Sequence, residues 1–244
     1  MYIPYHRQSL FELNQTFTMN VETIYDDDRE FDIIVIDDLF HNIELLSSVF
    51  INSPSEFFKA DDRNGIDYYD CRRAIDGSKT MFLSFISKAI HAHYGVTTAS
   101  NCDAEIVSNW FLSKTPRPTD YAVPHVDVSP LNFRRRQFSI LTYLNKNEDC
   151  VGGTSFFKNT LLNTCLPYNN DTTFWRLHDE GIFQSSGFWM KPEHRAAWEV
   201  RKTVDMKLNR TIIFPADVFH SAFIPTDIYA TRPRVTMVTW MEEC

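Results

Sequence analysis

Apolar residues in this chain are spaced for helices in the N-terminal part and for short strands afterwards. Phe31-Asp-Ile-Ile-Val-Ile36 is a β-branched run that predicts a buried strand. Asp37 or Asp38 can cap a helix across Asn42 to Asn52, with Ile43, Leu46, Val49 and Phe50 on one face. A second helix is predicted from about Lys79 to Tyr94, its core face formed by Met81, Phe82, Phe85, Ile86, Ala89 and Ile90. Gly95 suits the left-handed position just past its end. The pattern then turns to strands, at 105–112, 121–128, 137–144, 154–157, 203–208, 211–214 and 234–240. Helices first and many strands later predict an α+β chain whose β part is a closed or double sheet. Residues 1–30 are polar and end in Asp26-Asp-Asp-Arg-Glu30, which reads as a solvated loop.

Composition narrows the class. The 244 residues are 43% hydrophobic and 23% charged, as expected of one globular domain with its own core. A net charge of −8 disfavours a nucleic-acid partner, which needs a broad basic face. No apolar run is long enough for a membrane span, and Met1-Tyr-Ile-Pro-Tyr-His-Arg7 lacks the apolar core of a secretory signal. Five cysteines without a C-x-x-C pair indicate neither a disulfide framework nor a zinc ribbon. The expectation is a cytoplasmic protein in a reducing compartment. Gly152-Gly153 are two of only 7 glycines, so their pairing predicts a backbone turn or bulge.

Candidate chemistry centres on Pro124-His-Val-Asp-Val-Ser129. In a strand, alternate side chains share a face, so His125 and Asp127 point one way and Val126 the other. His220, in Phe214-Pro-Ala-Asp-Val-Phe-His-Ser221, can be delivered to the same point by a neighbouring strand. Two imidazoles and one carboxylate on one side of a metal leave its other side open for a co-substrate and O2, the arrangement of non-haem Fe(II) oxygenases.

The motifs around these residues come in a fixed order. Phe138-Ser-Ile-Leu-Thr-Tyr-Leu-Asn145 is followed by Gly152-Gly-Thr-Ser-Phe-Phe157, Asn209-Arg-Thr-Ile-Ile-Phe-Pro215, His220 and Arg234-Val-Thr-Met-Val-Thr-Trp240. With the opening Ile34-Val-Ile-Asp-Asp-Leu-Phe40, this order resembles the Fe(II)/2-oxoglutarate oxygenase superfamily, in its prolyl-hydroxylase-like branch. The resemblance spans about residues 31–240. It implies a double-stranded β-helix, a jelly-roll of the cupin-like kind, flanked by N-terminal helices. It implies His125, Asp127 and His220 as Fe(II) ligands and Arg234 as the partner of the distal carboxylate of 2-oxoglutarate. Thr236 shares a strand face with Arg234, and Tyr143 matches the tyrosine of the Tyr-Leu-Asn motif, so both are further candidate donors. A guanidinium fork suits a carboxylate in a way a lysine cannot copy.

The chain departs from the family pattern in two places. Arg234 lies 14 positions after His220, farther than is usual, which makes Arg232 a competitor. Arg232 precedes Pro233 and is biased towards a loop. The 93 positions between Asp127 and His220 place an insertion or lid at 158–202. A single domain over 1–244 follows, with a polar segment at 1–30, a strand and supporting helices at 31–104, and a barrel core at 105–157 and 203–240. The expected activity is hydroxylation of a small molecule or amino-acid-like substrate, consuming O2 and 2-oxoglutarate and releasing succinate and CO2. Alternatives are a cupin-type isomerase or hydrolase holding another metal, and a hydroxylase of a peptide or protein side chain. Arg134-Arg-Arg136 reads either as a contact for an acidic substrate group or as a solvated loop paired with carboxylates. Tyr143 reads equally as a core aromatic.

Overall fold

The computed structural model describes residues 10–26, 29–51, 58–59, 66–73, 79–98, 106–113, 118–127, 135–165 and 189–244. The strands are β1 (Thr18–Asp26), β2 (Arg29–Asp37), β3 (Phe58–Lys59), β4 (Ile66–Arg73), β5 (Ile106–Ser113), β6 (Gln137–Tyr143), β7 (Gly153–Asn159), β8 (Trp198–Asp205), β9 (Thr211–Pro215), β10 (His220–Phe223) and β11 (Arg234–Glu242). Helix α1 covers Ile43–Ile51 and α2 covers Lys79–Tyr94. The strands form an eight-stranded sheet, ordered β1-β2-β9-β6-β11-β5-β4-β3, and a three-stranded sheet, ordered β10-β7-β8. Every named strand pair is antiparallel. The expected α+β class holds, with mostly antiparallel sheets and few helices.

β2 explains why residues 31–36 read as a continuous apolar run: both of its faces are buried. Ile34 and Ile36 face the helices, packing with Phe82, Ile86 and Ile90 of α2 and Leu46 and Phe50 of α1. Ile33 and Val35 face the smaller sheet, packing with Phe156 of β7, Val204 of β8 and Phe214 of β9. Phe82, Ile86 and Ile90 are fully buried, and burying each such side chain stabilises the fold by about 1.5–3 kcal/mol. Gly95 ends α2 at φ +67, and its N–H donates to the carbonyl of His91. Met81 is the exception on the expected core face, being 67% exposed one turn from the start of the helix.

Several local expectations need correction. Residues 18–26, expected only as a polar segment, form the edge strand β1, paired along its whole length with β2, and of the stretch read as a loop Asp26 ends β1 while Arg29 and Glu30 begin β2. Asp26, read as solvated, is buried, and its carboxylate accepts from the Cys165 N–H and Thr164 hydroxyl and lies 3.6 Å from the Lys158 ammonium. Neither Asp37 nor Asp38 caps α1: Asp37 forms a bidentate pair with Arg210, and Asp38 takes φ 59. Residues 121–127 are extended but make only single bridges, Tyr121 with Phe223, Ala122 with Trp189 and His125 with His220. Pro124 has no N–H to give a ladder there. β8 begins at Trp198 rather than 203, and β4 and β10 were not read as strands at all.

Asn209 secures the turn before β9. It takes φ 67, and its carboxamide pairs with both the N–H and the carbonyl of Phe40, like an added strand residue. That contact joins the entry to α1 with the segment leading to β9. Gly152 takes φ 81, and a Cβ there would fall 2.0 Å from the Phe223 carbonyl oxygen. Gly152 therefore allows the close approach to β10, and Gly153, whose Cβ would fall 2.0 Å from the Val204 carbonyl oxygen, allows that to β8.

Candidate metal centre

His220 opens β10 and is paired in register with Phe156 of β7. His125 lies opposite it in a fully bonded bridge, each histidine N–H donating to the other's carbonyl at 2.9 Å. The Asp127 N–H donates to the Ala216 carbonyl, which turns its side chain back towards the two rings. The result brings together one ligand atom each from His125, Asp127 and His220, all within 4.8 Å of one another. The His125 Nε2 lies 3.7 Å from Asp127 Oδ1 and the His220 Nε2 lies 3.5 Å from Asp127 Oδ2.

Backbone contacts set the tautomers. His125 Nδ1 lies 3.0 Å from the Val123 carbonyl and His220 Nδ1 lies 2.9 Å from the Val218 carbonyl. A carbonyl can only accept, so each Nδ1 carries a proton and each Nε2 is turned towards Asp127, where it can take a second proton or a metal. Ser139 of β6 donates to Asp127 Oδ2 at 2.6 Å and orients the carboxylate. The Phe214 ring packs edge-on against His220 at 4.7 Å between centroids.

The charges are tuned by this crowding. Burial opposes ionisation of Asp127, but His220, His125 and the Ser139 hydroxyl outweigh it and hold the carboxyl well below the usual range. His125 is pushed down by desolvation of its ring and by His220. His220 is pushed up despite its burial, because the Asp127 carboxylate favours its charged form. A divalent cation held between these groups would replace that proton as the partner of the carboxylate.

A second polar group lies deeper, along β11. Arg234 is 7% exposed and its Nη2 donates to the Gly153 carbonyl at 3.3 Å, while its Nε has no partner. The guanidinium carbon sits 5.8 Å from the Tyr143 ring centre. Thr236 is buried, stands opposite Tyr143 in register, and its hydroxyl is also unpartnered. Tyr143 is fully buried, donates to the Thr154 hydroxyl at 2.8 Å, and is pushed by burial up to about 12. Along β7, Gly153 beside Arg234 and Phe156 opposite His220 are three residues apart, about 10 Å at strand spacing.

Arg232 is placed elsewhere. It is more than half exposed and paired with Asp149. Arg136 pairs with Glu243, Arg135 is exposed, and Arg134 lies outside the described residues. Of the segment 158–202, only 158–165 and 189–202 are described, and Trp189 packs with Tyr143 beside Arg234's platform. Ser139, Thr154 and Phe214 were not singled out from the sequence. Ser139 was accessible there: it alternates with Leu141 and Tyr143 on one face of the strand that carries the Tyr-Leu-Asn motif.

The chain belongs to a family of unknown function, DUF6445, whose model matches residues 16–236. Among curated proteins none matches it in sequence. Its fold is similar to that of SnoN, a non-heme alpha ketoglutarate dependent epimerase from nogalamycin biosynthesis. The TM-score is 0.54 at 14% identity, covering 86% of this chain and 76% of SnoN. SnoN in complex with Fe3+, alpha ketoglutarate and nogalamycin RO aligns with TM-score 0.54 and 13% identity, over 86% of this chain and 78% of that one. EctD from S. alaskensis aligns with TM-score 0.49 and 14% identity, over 86% and 72%. The likeness to SnoN is one of fold. Among the described residues, no helix is long and apolar enough to cross a membrane.

Proposed function

We propose that the chain is an Fe(II)- and 2-oxoglutarate-dependent dioxygenase of jelly-roll architecture, acting on a small or amino-acid-like molecule. One observation carries this reading: a His-Asp-His cluster whose ligand atoms lie within 4.8 Å of one another, and on β11 a buried arginine Nε and a buried threonine hydroxyl that lack partners among the described residues. Buried polar groups are ordinarily bonded, so two orphans on one face of β11 suit an anionic ligand. An isomerase or hydrolase using the same three ligands has no need of that arginine. SnoN's own Fe3+ and alpha ketoglutarate accord with the assignment.

His125, Asp127 and His220 would hold the metal, and Arg234 with Thr236 would hold the distal carboxylate of 2-oxoglutarate, with Tyr143 as the platform beneath the guanidinium. When bound, the metal and co-substrate together supply the activation of O2, with release of succinate and CO2. The chain's own residues position and exclude. Ser139 fixes one Asp127 oxygen, and the Val123 and Val218 carbonyls hold the rings in the tautomer that coordinates. Tyr143, Trp189, Met206 and Ile224 pack into an apolar wall that keeps water from the guanidinium. Asp127 would supply a carboxylate ligand where halogenating relatives carry a small residue, which favours hydroxylation. The part of 158–202 that rejoins the described chain at Trp189 bridges to Ala122, so the insertion returns beside the site.

The test is succinate release from 2-oxoglutarate by the purified chain with Fe(II), ascorbate and O2, screened over metabolite pools and peptide libraries. Succinate formation that depends on metal and on one class of acceptor is expected. Metal-dependent turnover of some substrate with no 2-oxoglutarate requirement would instead support the isomerase or hydrolase reading.

A further inference from the structure

Strand pairing places three side chains in one row beneath the metal cluster. Ser139 of β6 is opposite Phe214 of β9 on one side and Trp240 of β11 on the other. Directly opposed residues of antiparallel strands project to the same face. Phe214 lies against His220 and Ser139 bonds Asp127, so Trp240 projects to the face that carries the metal ligands. Phe214 is buried, yet Trp240 is 39% exposed, unlike the buried Trp189 and Trp198. An indole left open on that face is available to whatever enters.

Two residues farther along the same face of β11 is Glu242, opposite Gln137. Among the described residues no cation pairs with Glu242, while the neighbouring Arg136 is taken up by Glu243. An open indole and a half-buried carboxylate on one strand face form a pair that attracts positive charge, the ring through its quadrupole and the carboxylate directly. The chain's net charge of −8 favours the approach of cations.

We infer that Trp240 and Glu242 form the substrate-recognition wall of the site and select a molecule bearing an ammonium or similar cationic group. That the bound cation is the substrate's rests on the dioxygenase reading; the binding itself does not. A cationic end held at Trp240 and Glu242 leaves a neighbouring C–H of the same molecule beside the Asp127 end of the metal cluster.

The test uses three probes of closely similar shape and different charge: tetramethylammonium, tert-butanol and pivalate. Each is titrated into the full chain with Fe(II) and 2-oxoglutarate under argon. Affinity is read from broadening of the probe's methyl signal, and location from the indole N–H resonance of Trp240, assigned by its loss in Trp240→Phe. Tetramethylammonium is expected to bind most tightly and to shift that resonance. Trp240→Leu should weaken it about two- to fivefold, as for an exposed cation–π contact. Glu242→Gln should weaken it by up to about fivefold, as for an exposed charge pair, and Trp240→Phe should retain most of the affinity. Equal binding of tert-butanol, or an unmoved Trp240 resonance, overturns the inference. Preference for pivalate overturns it in favour of the arginines at 135 and 136. The charge-transfer absorption of Fe(II) with 2-oxoglutarate, recorded on the same samples, separates the two readings. Absorption present without cation preference sinks the recognition wall alone. Cation preference without absorption keeps the indole–carboxylate pair and sinks the dioxygenase reading.

Discussion

Replacing Arg234 by methionine separates a residue kept for a ligand from one kept for the fold. In the free protein the guanidinium is buried with one long bond, 3.3 Å to the Gly153 carbonyl, and an Nε without a partner. An unsatisfied buried donor costs about 1–3 kcal/mol. Methionine removes that cost, and it loses a charged bond of about 1.5 kcal/mol and a ring contact of about 0.5–2 kcal/mol. These terms nearly cancel, so the melting temperature of Arg234→Met should stay within about 5 °C of the parent, at about 2–4 °C per kcal/mol. A buried charge fully committed to structural partners would cost about 3–5 kcal/mol when those partners are stranded. Binding of 2-oxoglutarate should respond in the opposite way. Losing a buried charged contact costs about 2–5 kcal/mol, or about 30- to 4000-fold in affinity. Scanning calorimetry of the free protein and anaerobic titration of 2-oxoglutarate into the Fe(II) form supply the two numbers. A large fall in melting temperature with unchanged 2-oxoglutarate affinity would refute the reasoning.

Other perturbations report on separate parts of the account. Ser139→Ala removes the 2.6 Å bond that orients Asp127, and should weaken metal affinity about 10- to 100-fold in a competition titration with little change in melting temperature. Gly152→Ala forces an L side chain into φ 81 against the Phe223 carbonyl, and should cost at least about 1–3 kcal/mol in urea denaturation while displacing β10 and weakening metal binding. Asp37 is held below its ordinary 3.8, chiefly by the Arg210 bond against the opposing effect of burial. Its folded value is depressed, so this pair stabilises the fold above that pH and is lost as pH falls through the lowered value. Arg210→Met should therefore reduce stability near neutrality and flatten its dependence on pH in the acid range, as read from urea midpoints.

The His125, Asp127 and His220 cluster was legible because a metal site needs particular residue types in a particular order, and the His-x-Asp pair with a later histidine survives in the bare sequence. The surroundings were less so. β1 escaped because it is an edge strand whose apolar Met19, Val21 and Tyr25 face solvent, while its inward side carries Glu22 and Asp26 with Ile24, so the usual alternation is inverted. Asp26 looked like part of a charged loop, since nothing local announces that Cys165, Thr164 and Lys158 converge on it from far along the chain. The strand expected at 121–128 reduces to single bridges, and the convergence of His125 with Asp127 depends on the distant Ala216 carbonyl as much as on alternation. Arg232 and Arg234 were separable only weakly by Pro233. Their burial and partners, an exposed pair with Asp149 against a guanidinium beneath the site, come from tertiary packing. Trp240 and Glu242 went unremarked because their role depends on which face of β11 is inward, and register alone decides that.

The most direct measurement is an anaerobic titration of the metal-free chain with Fe(II) and then 2-oxoglutarate, following the visible charge-transfer absorption. The account predicts an absorption that saturates at one iron per chain, requires both additions, and disappears in His220→Ala and Asp127→Ala while both variants remain folded. No absorption in the parent chain, or an absorption that survives either substitution, would contradict a shared metal at His125, Asp127 and His220.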